Sequence, residues 1–201
     1  MSEPTAEQFD KAFEQAIENM QQLVGGAVTA GDGPAVSPTV MVLMRKAPDL
    51  PPPFDMIAVN PSSDDEACVR IAVLSPMTLT PPGWSPMPKS LFWRVMKMVA
   101  MASNAYGVVV GMEVWLARPA SEAEAEALPK NLEDYDKREE AVVITTEREG
   151  ERRLYEAAIQ RNGEQITLGP WEHHTKSGST ESPLKGLSGN MFQAVPANTR
   201  D

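Results

Sequence analysis

The stretch Tyr106-Gly107-Val108-Val109-Val110-Gly111-Met112-Glu113-Val114-Trp115-Leu116-Ala117-Arg118 decides the fold. At the two-residue period of a strand, Val108, Val110, Met112, Val114 and Leu116 share one face. Val109, Gly111, Glu113, Trp115 and Ala117 share the other. Both faces are mostly apolar, which places this strand in the middle of a sheet, and Pro119 ends it.

Upstream lies an apolar segment with helical character. Leu91, Phe92, Trp93, Val95, Met96, Met98, Val99 and Met101 fall almost all round a helix running from about Pro88 to Ser103. Arg94 and Lys97 mark its exposed edge. Pro76, Pro81, Pro82, Pro86 and Pro88 make the preceding segment a connection. Before it, Thr39 to Arg45 and Phe54 to Val59 are expected strands, and Ala67 to Leu74 is expected as a third strand or a helical turn. The turn chemistry of Asn60 to Asp65 is expected to join the last two as a hairpin. The chain opens with an amphipathic helix. Thr5 and Gln8 form a capping box, and Phe9, Phe13, Ile17, Met20 and Val24 recur at helical spacing. Gly25-Gly26 is expected to end it.

Downstream, Ala120 to Lys137 is an acidic connection in which Ser121 is placed to cap a short helix. Glu139 to Arg148, Arg152 to Gln160 and Glu164 to Leu168 then form an antiparallel meander. Asn162-Gly163 is its strongest hairpin signal. Together these predict an α+β fold: a single mixed or antiparallel sheet of about five to seven strands, with two main helices packed on one face. Residues 1–174 are expected to form one domain, and residues 175–201 an irregular, partly docked tail.

The 201 residues carry a net charge of −10 and are 42% hydrophobic, enough apolar material for one core. The acidity argues against binding nucleic acid or an anionic membrane surface, both of which require clustered Lys and Arg. Cys68 is the only cysteine, which excludes an intrachain disulfide and a cysteine-rich zinc site. The N-terminal residues lack the basic and apolar regions of a signal peptide, so a cytoplasmic protein is expected.

The pieces Met112-Glu113-Val114-Trp115-Leu116, Pro119 to Asp136, and Arg138-Glu139-Glu140-Ala141-Val142-Val143 with Glu147 resemble an uncharacterised bacterial and phage protein family. The resemblance runs from Gly111 to Glu147 and implies an α+β domain. It carries over no catalytic residue.

Glu113 is the first candidate for chemistry. A carboxylate in an apolar strand beside Trp115 would have its charged form disfavoured, as in a general acid. The competing reading pairs it with Arg118, Arg138 or Arg148. Glu156 and His173 are its candidate partners across the sheet. His173 and His174 are adjacent and point to opposite faces of an extended chain, and no HExxH or Cys partner accompanies them, so no metal is expected. Phosphate loops and nucleophile elbows are absent from the sequence, so no cofactor is expected. Trp84, in a proline-rich loop, and Trp115, Phe9 and Phe13 are candidate interaction residues.

Three functions follow as expectations. The first is a non-catalytic interaction or accessory protein, homo-oligomeric and open to a protein partner. The second is a small hydrolase or metal-dependent enzyme using Glu113 with Glu156 or His173. The third is an acidic mimic of nucleic acid.

Overall fold

The computed structural model describes residues 3–30, 37–50, 60–61, 69–80, 85, 87–128, 136, 138–148, 151–163 and 165–174. The expected strand Phe54–Val59, Trp84, Cys68 and the expected tail from residue 175 lie outside them.

The fold is α+β, built on one antiparallel sheet. Along the chain the elements are α1 (Ala6–Thr29), β1 (Thr39–Met44), β2 (Asn60–Pro61), β3 (Arg70–Leu74), α2 (Lys89–Ala102), β4 (Ala105–Leu116), α3 (Glu122–Glu126), β5 (Glu139–Arg148), β6 (Glu151–Asn162), β7 (Gln165–Leu168) and β8 (Glu172–His174). The strand order is β2-β3-β1-β4-β5-β6-β7, with β8 also on β6. β4 is central, as its two apolar faces require. Asn60 and Pro61, expected to begin a turn, instead pair with Ile71 and Arg70.

α1 and α2 lie on opposite faces of the sheet, not on one. Met41, Leu43, Val109, Val142 and Ile144 pack with Phe13, Ile17, Met20 and Val24 of α1. Val40, Val42, Val108, Val110 and Met112 pack with Phe92, Val95, Met96 and Val99 of α2. The reason is already in β1 and β4. Each presents apolar side chains in both directions, and each face needs cover from water.

α1 also continues through Gly25-Gly26. Its apolar stripe extends by one further step of four to the buried Val28, and Thr29 Oγ1 bonds back to the Gly25 carbonyl at 3.0 Å. Burial of that last turn outweighs the weak helix propensity of glycine. At the other end the capping box forms: Thr5 N donates to Gln8 Oε1 at 2.8 Å, and Gln8 N donates to Thr5 Oγ1 at 3.3 Å.

Two glycines bring α1 onto β4. A Cβ on Gly107 would stand 2.6 Å from Phe13 Cε2, and one on Gly111 would stand 2.7 Å from Met20 Sδ. The large α1 side chains thus rest directly on strand backbone. Asn104 (φ 47°) turns the chain between α2 and β4, and Gly163 (φ 65°) makes the β6–β7 hairpin turn.

β7 and β8 run along the same edge of β6. Their registers differ by one residue, from Ile159↔Leu168 to Glu156↔Glu172. Gly169 N bonds Ala158 O at 2.8 Å within this bulge. Among the described residues, no helix is long and apolar enough to cross a membrane.

Candidate functional site

Register decides which candidates can meet. Glu113 lies opposite Val142, which lies opposite Ala157, while Glu156 lies opposite Val143. Partners in an antiparallel ladder project to the same side, and neighbours along a strand to opposite sides. Glu113 therefore projects toward the α1 face and Glu156 toward the α2 face, with the sheet between them. His173, opposite Tyr155, shares the face of Glu113 but stands three strands away, about 14 Å at the usual strand spacing. None of the three pairs is brought together.

Each candidate instead enters its own polar group. On the α1 face, Arg161 reaches Glu113 Oε1 at 3.6 Å through Nη2 and donates to Glu140 at 2.5 Å through Nε. The Glu140 bond is the main reason the Arg161 guanidinium holds its proton more tightly than usual. Sequence considerations offered Arg118, Arg138 or Arg148 as the partner of Glu113. Arg138 lies with its guanidinium 4.6 Å from the Trp115 ring centre, a cation–π contact that half-buries the indole. His173 stacks on Tyr155 at 4.6 Å.

On the α2 face, beyond the reach of α2, Glu156 is 8% exposed and bonds to Arg118. Arg118 also donates to Glu139 at 3.0 Å. The bond to Glu139, followed by the charge of Glu156, raises the Arg118 pKa. His174 Nε2 lies 3.9 Å from Glu156 Oε2 and 3.8 Å from Glu172 Oε2. That nitrogen is itself buried and has no hydrogen-bond partner. The cluster Arg118, Glu139, Glu156, Glu172 and His174 joins β8 to β4, β5 and β6. Among the described residues, no group of three His, Cys, Asp or Glu side chains is arranged to hold a metal ion.

Comparison with protein-family models, curated proteins and solved structures finds no match to this chain.

The interaction candidates separate by burial. Phe9 and Phe13, expected at an interaction surface, are core residues of the α1–sheet layer, 4% and 0% exposed. They belong to the same stripe as Ile17 and Met20, and the sheet is what that stripe binds. Among the described residues, the most exposed large apolar side chains are Leu23, Val73, Met77, Leu91 and Met101. Sequence considerations treated Leu91 and Met101 as part of an all-round buried helix. Their signal was the spacing they share with Arg94, which puts all three on the outward side.

Proposed function

We propose that the protein is a non-catalytic interaction or accessory protein of the cytoplasm, working as a homo-oligomer. The observation that carries this reading is the engagement of its candidate carboxylates by arginine: Glu113 with Arg161 and Glu156 with Arg118. A carboxylate engaged in this way serves in a structural ion-pair network that ties strands together. The exposed Leu91 and Met101, which share one side of α2, offer apolar contact to a protein partner.

The hydrolase reading draws less support, because Glu113 and Glu156 project from opposite faces. A nucleic-acid mimic needs an array of carboxylates free for a basic groove. Asp10 and Glu14, in the first half of the acidic helix, are already bonded to Arg148 and Arg153.

Light scattering on the purified protein, with a pull-down from cell extract, tests the proposal. A multimer is expected. A strict monomer that captures no partner would overturn it.

A further inference from the structure

On the α2 face, β8 ends in a ring whose inner nitrogen is unsatisfied. His174 Nε2 is buried without a hydrogen-bond partner, although the side chain as a whole is 40% exposed and open to exchange of protons with water. Two carboxylate oxygens face it: Glu156 Oε2 at 3.9 Å and Glu172 Oε2 at 3.8 Å. Both distances are too long for a hydrogen bond and short enough for an ion pair. A neutral imidazole of either tautomer therefore gains little here, whereas a charged one gains from both carboxylates at once. Glu156 serves two sides, since its other oxygen, Oε1, takes the bond from Arg118.

The surroundings are acidic on balance. Glu172 comes from β8 itself, Glu156 from β6, Glu139 from β5 and Arg118 from β4, which makes three carboxylates to one guanidinium. Arg152, two residues along β6 from Leu154, pairs with Glu147 of β5 at 3.0 Å, so those two charges offset each other. β8 has few other fastenings. It spans Glu172–His174 and pairs with β6 over Leu154, Tyr155 and Glu156. On the opposite face of the sheet, His173 stacks on Tyr155.

We propose that His174 is a pH-operated latch for β8. A proton taken up at Nε2 places positive charge between Glu156 and Glu172 and draws β8 onto β6. Loss of that proton as pH rises loosens β8 and bares the β6 backbone at Leu154–Glu156, a strand edge open to pairing. Histidine makes this change between about pH 5 and 8. Asp10 and Glu151 take up protons only at lower pH, so the latch works within an otherwise intact fold.

The test is amide hydrogen exchange on the full chain at about pH 5.5 and about pH 7.5, with each rate compared with that of unfolded peptide at the same pH. Protection of the amides shared by β8 and β6 is expected to rise about threefold or more at the lower pH, while protection in β4 and β5 stays level. H174Q abolishes the rise. E172Q, at a side chain 64% exposed, reduces it. H173F keeps the stack on Tyr155 and keeps the rise.

Equal protection of β8 at the two pH values overturns the latch, and so does a rise shared equally by β4 and β5. A rise that survives H174Q or E172Q undiminished overturns it too. One that H173F removes does the same, because the titrating ring would then be His173. If H174Q fails to fold, E172Q decides.

Discussion

Tyr106 Oη donates a 2.5 Å hydrogen bond to Asp10 Oδ1 across 96 residues of chain, fastening α1 to the start of β4. Arg148 Nη1 reaches the same carboxylate oxygen at 2.5 Å, and the Phe9 ring stacks on Tyr106 at 4.8 Å. The Arg45 guanidinium lies 5.0 Å from the Tyr106 ring centre. Three strands and one helix thus converge on one tyrosine. Tyr106→Phe keeps the stacking and removes the bond. It is expected to lower the melting midpoint modestly and to speed amide exchange in the first turns of α1. Unchanged exchange there would show that the bond does not hold the helix.

The same group sets a pH dependence. The bond from Tyr106 and the charge of Arg148 hold Asp10 below its ordinary value. Burial pushes Glu151 upward, but hydrogen bonds from Arg153 and Arg148 outweigh it, and the net shift is downward. Both carboxylates bind protons less readily folded than unfolded. Their stabilisation is complete above the unfolded values, about 4, and is lost as pH falls through the lower folded values. Burial, then Asp10, raises Tyr106. Its contribution is complete below about 10 and is lost as pH rises further. Urea midpoints measured across this range should therefore fall at both ends. Asp10→Asn should flatten part of each slope. A midpoint constant between about pH 6 and 3 would contradict the assignment.

Gly107 and Gly111 should tolerate no side chain. Gly111→Ala places a methyl group against Met20 and Val24 and is expected to cost about 1–3 kcal/mol in chemical unfolding. Combining it with Met20→Ala should cost less than the sum of the two changes, since the cavity made by one accepts the methyl of the other. Strict additivity would mean that the helix does not rest on the strand as described. Phe13→Ala, which empties the centre of the α1 layer, is expected to cost about 3–5 kcal/mol.

Arg118 and Glu156 are unequal partners: Arg118 is half exposed and Glu156 is nearly buried. Removing the guanidinium leaves a carboxylate with little water around it. Arg118→Ala is therefore expected to destabilise by about 1–3 kcal/mol, less than for a fully buried pair because solvent reaches the arginine side. Glu156→Gln, which removes the charge and keeps the shape, should be milder. If Glu156→Gln proves the more damaging change, the charge of Glu156 is serving something other than Arg118.

Local chemistry made much of this protein legible in its sequence. The capping box fixed the start of α1, and Asn162-Gly163 fixed the β6–β7 hairpin. Alternation of side chains identified β4 as central, and the meander after it follows from short connections. In each case the deciding interactions lie within a few residues of one another.

Tertiary structure decided what distant segments do to each other. More than 20 residues separate Leu116 from Glu139, so the β4–β5 register was free in the sequence, and with it the side on which Glu113 stands relative to Glu156. Arg161 became a partner of Glu113 through that register. The placement of α1 and α2 on opposite faces arose because the sheet was apolar on both sides. The passage of α1 through Gly25-Gly26 arose because Val28 could be buried. Propensity and pattern act along the chain, whereas burial is shared between parts of it, so only the folded molecule fixes which surfaces α1 and α2 leave open to a neighbour.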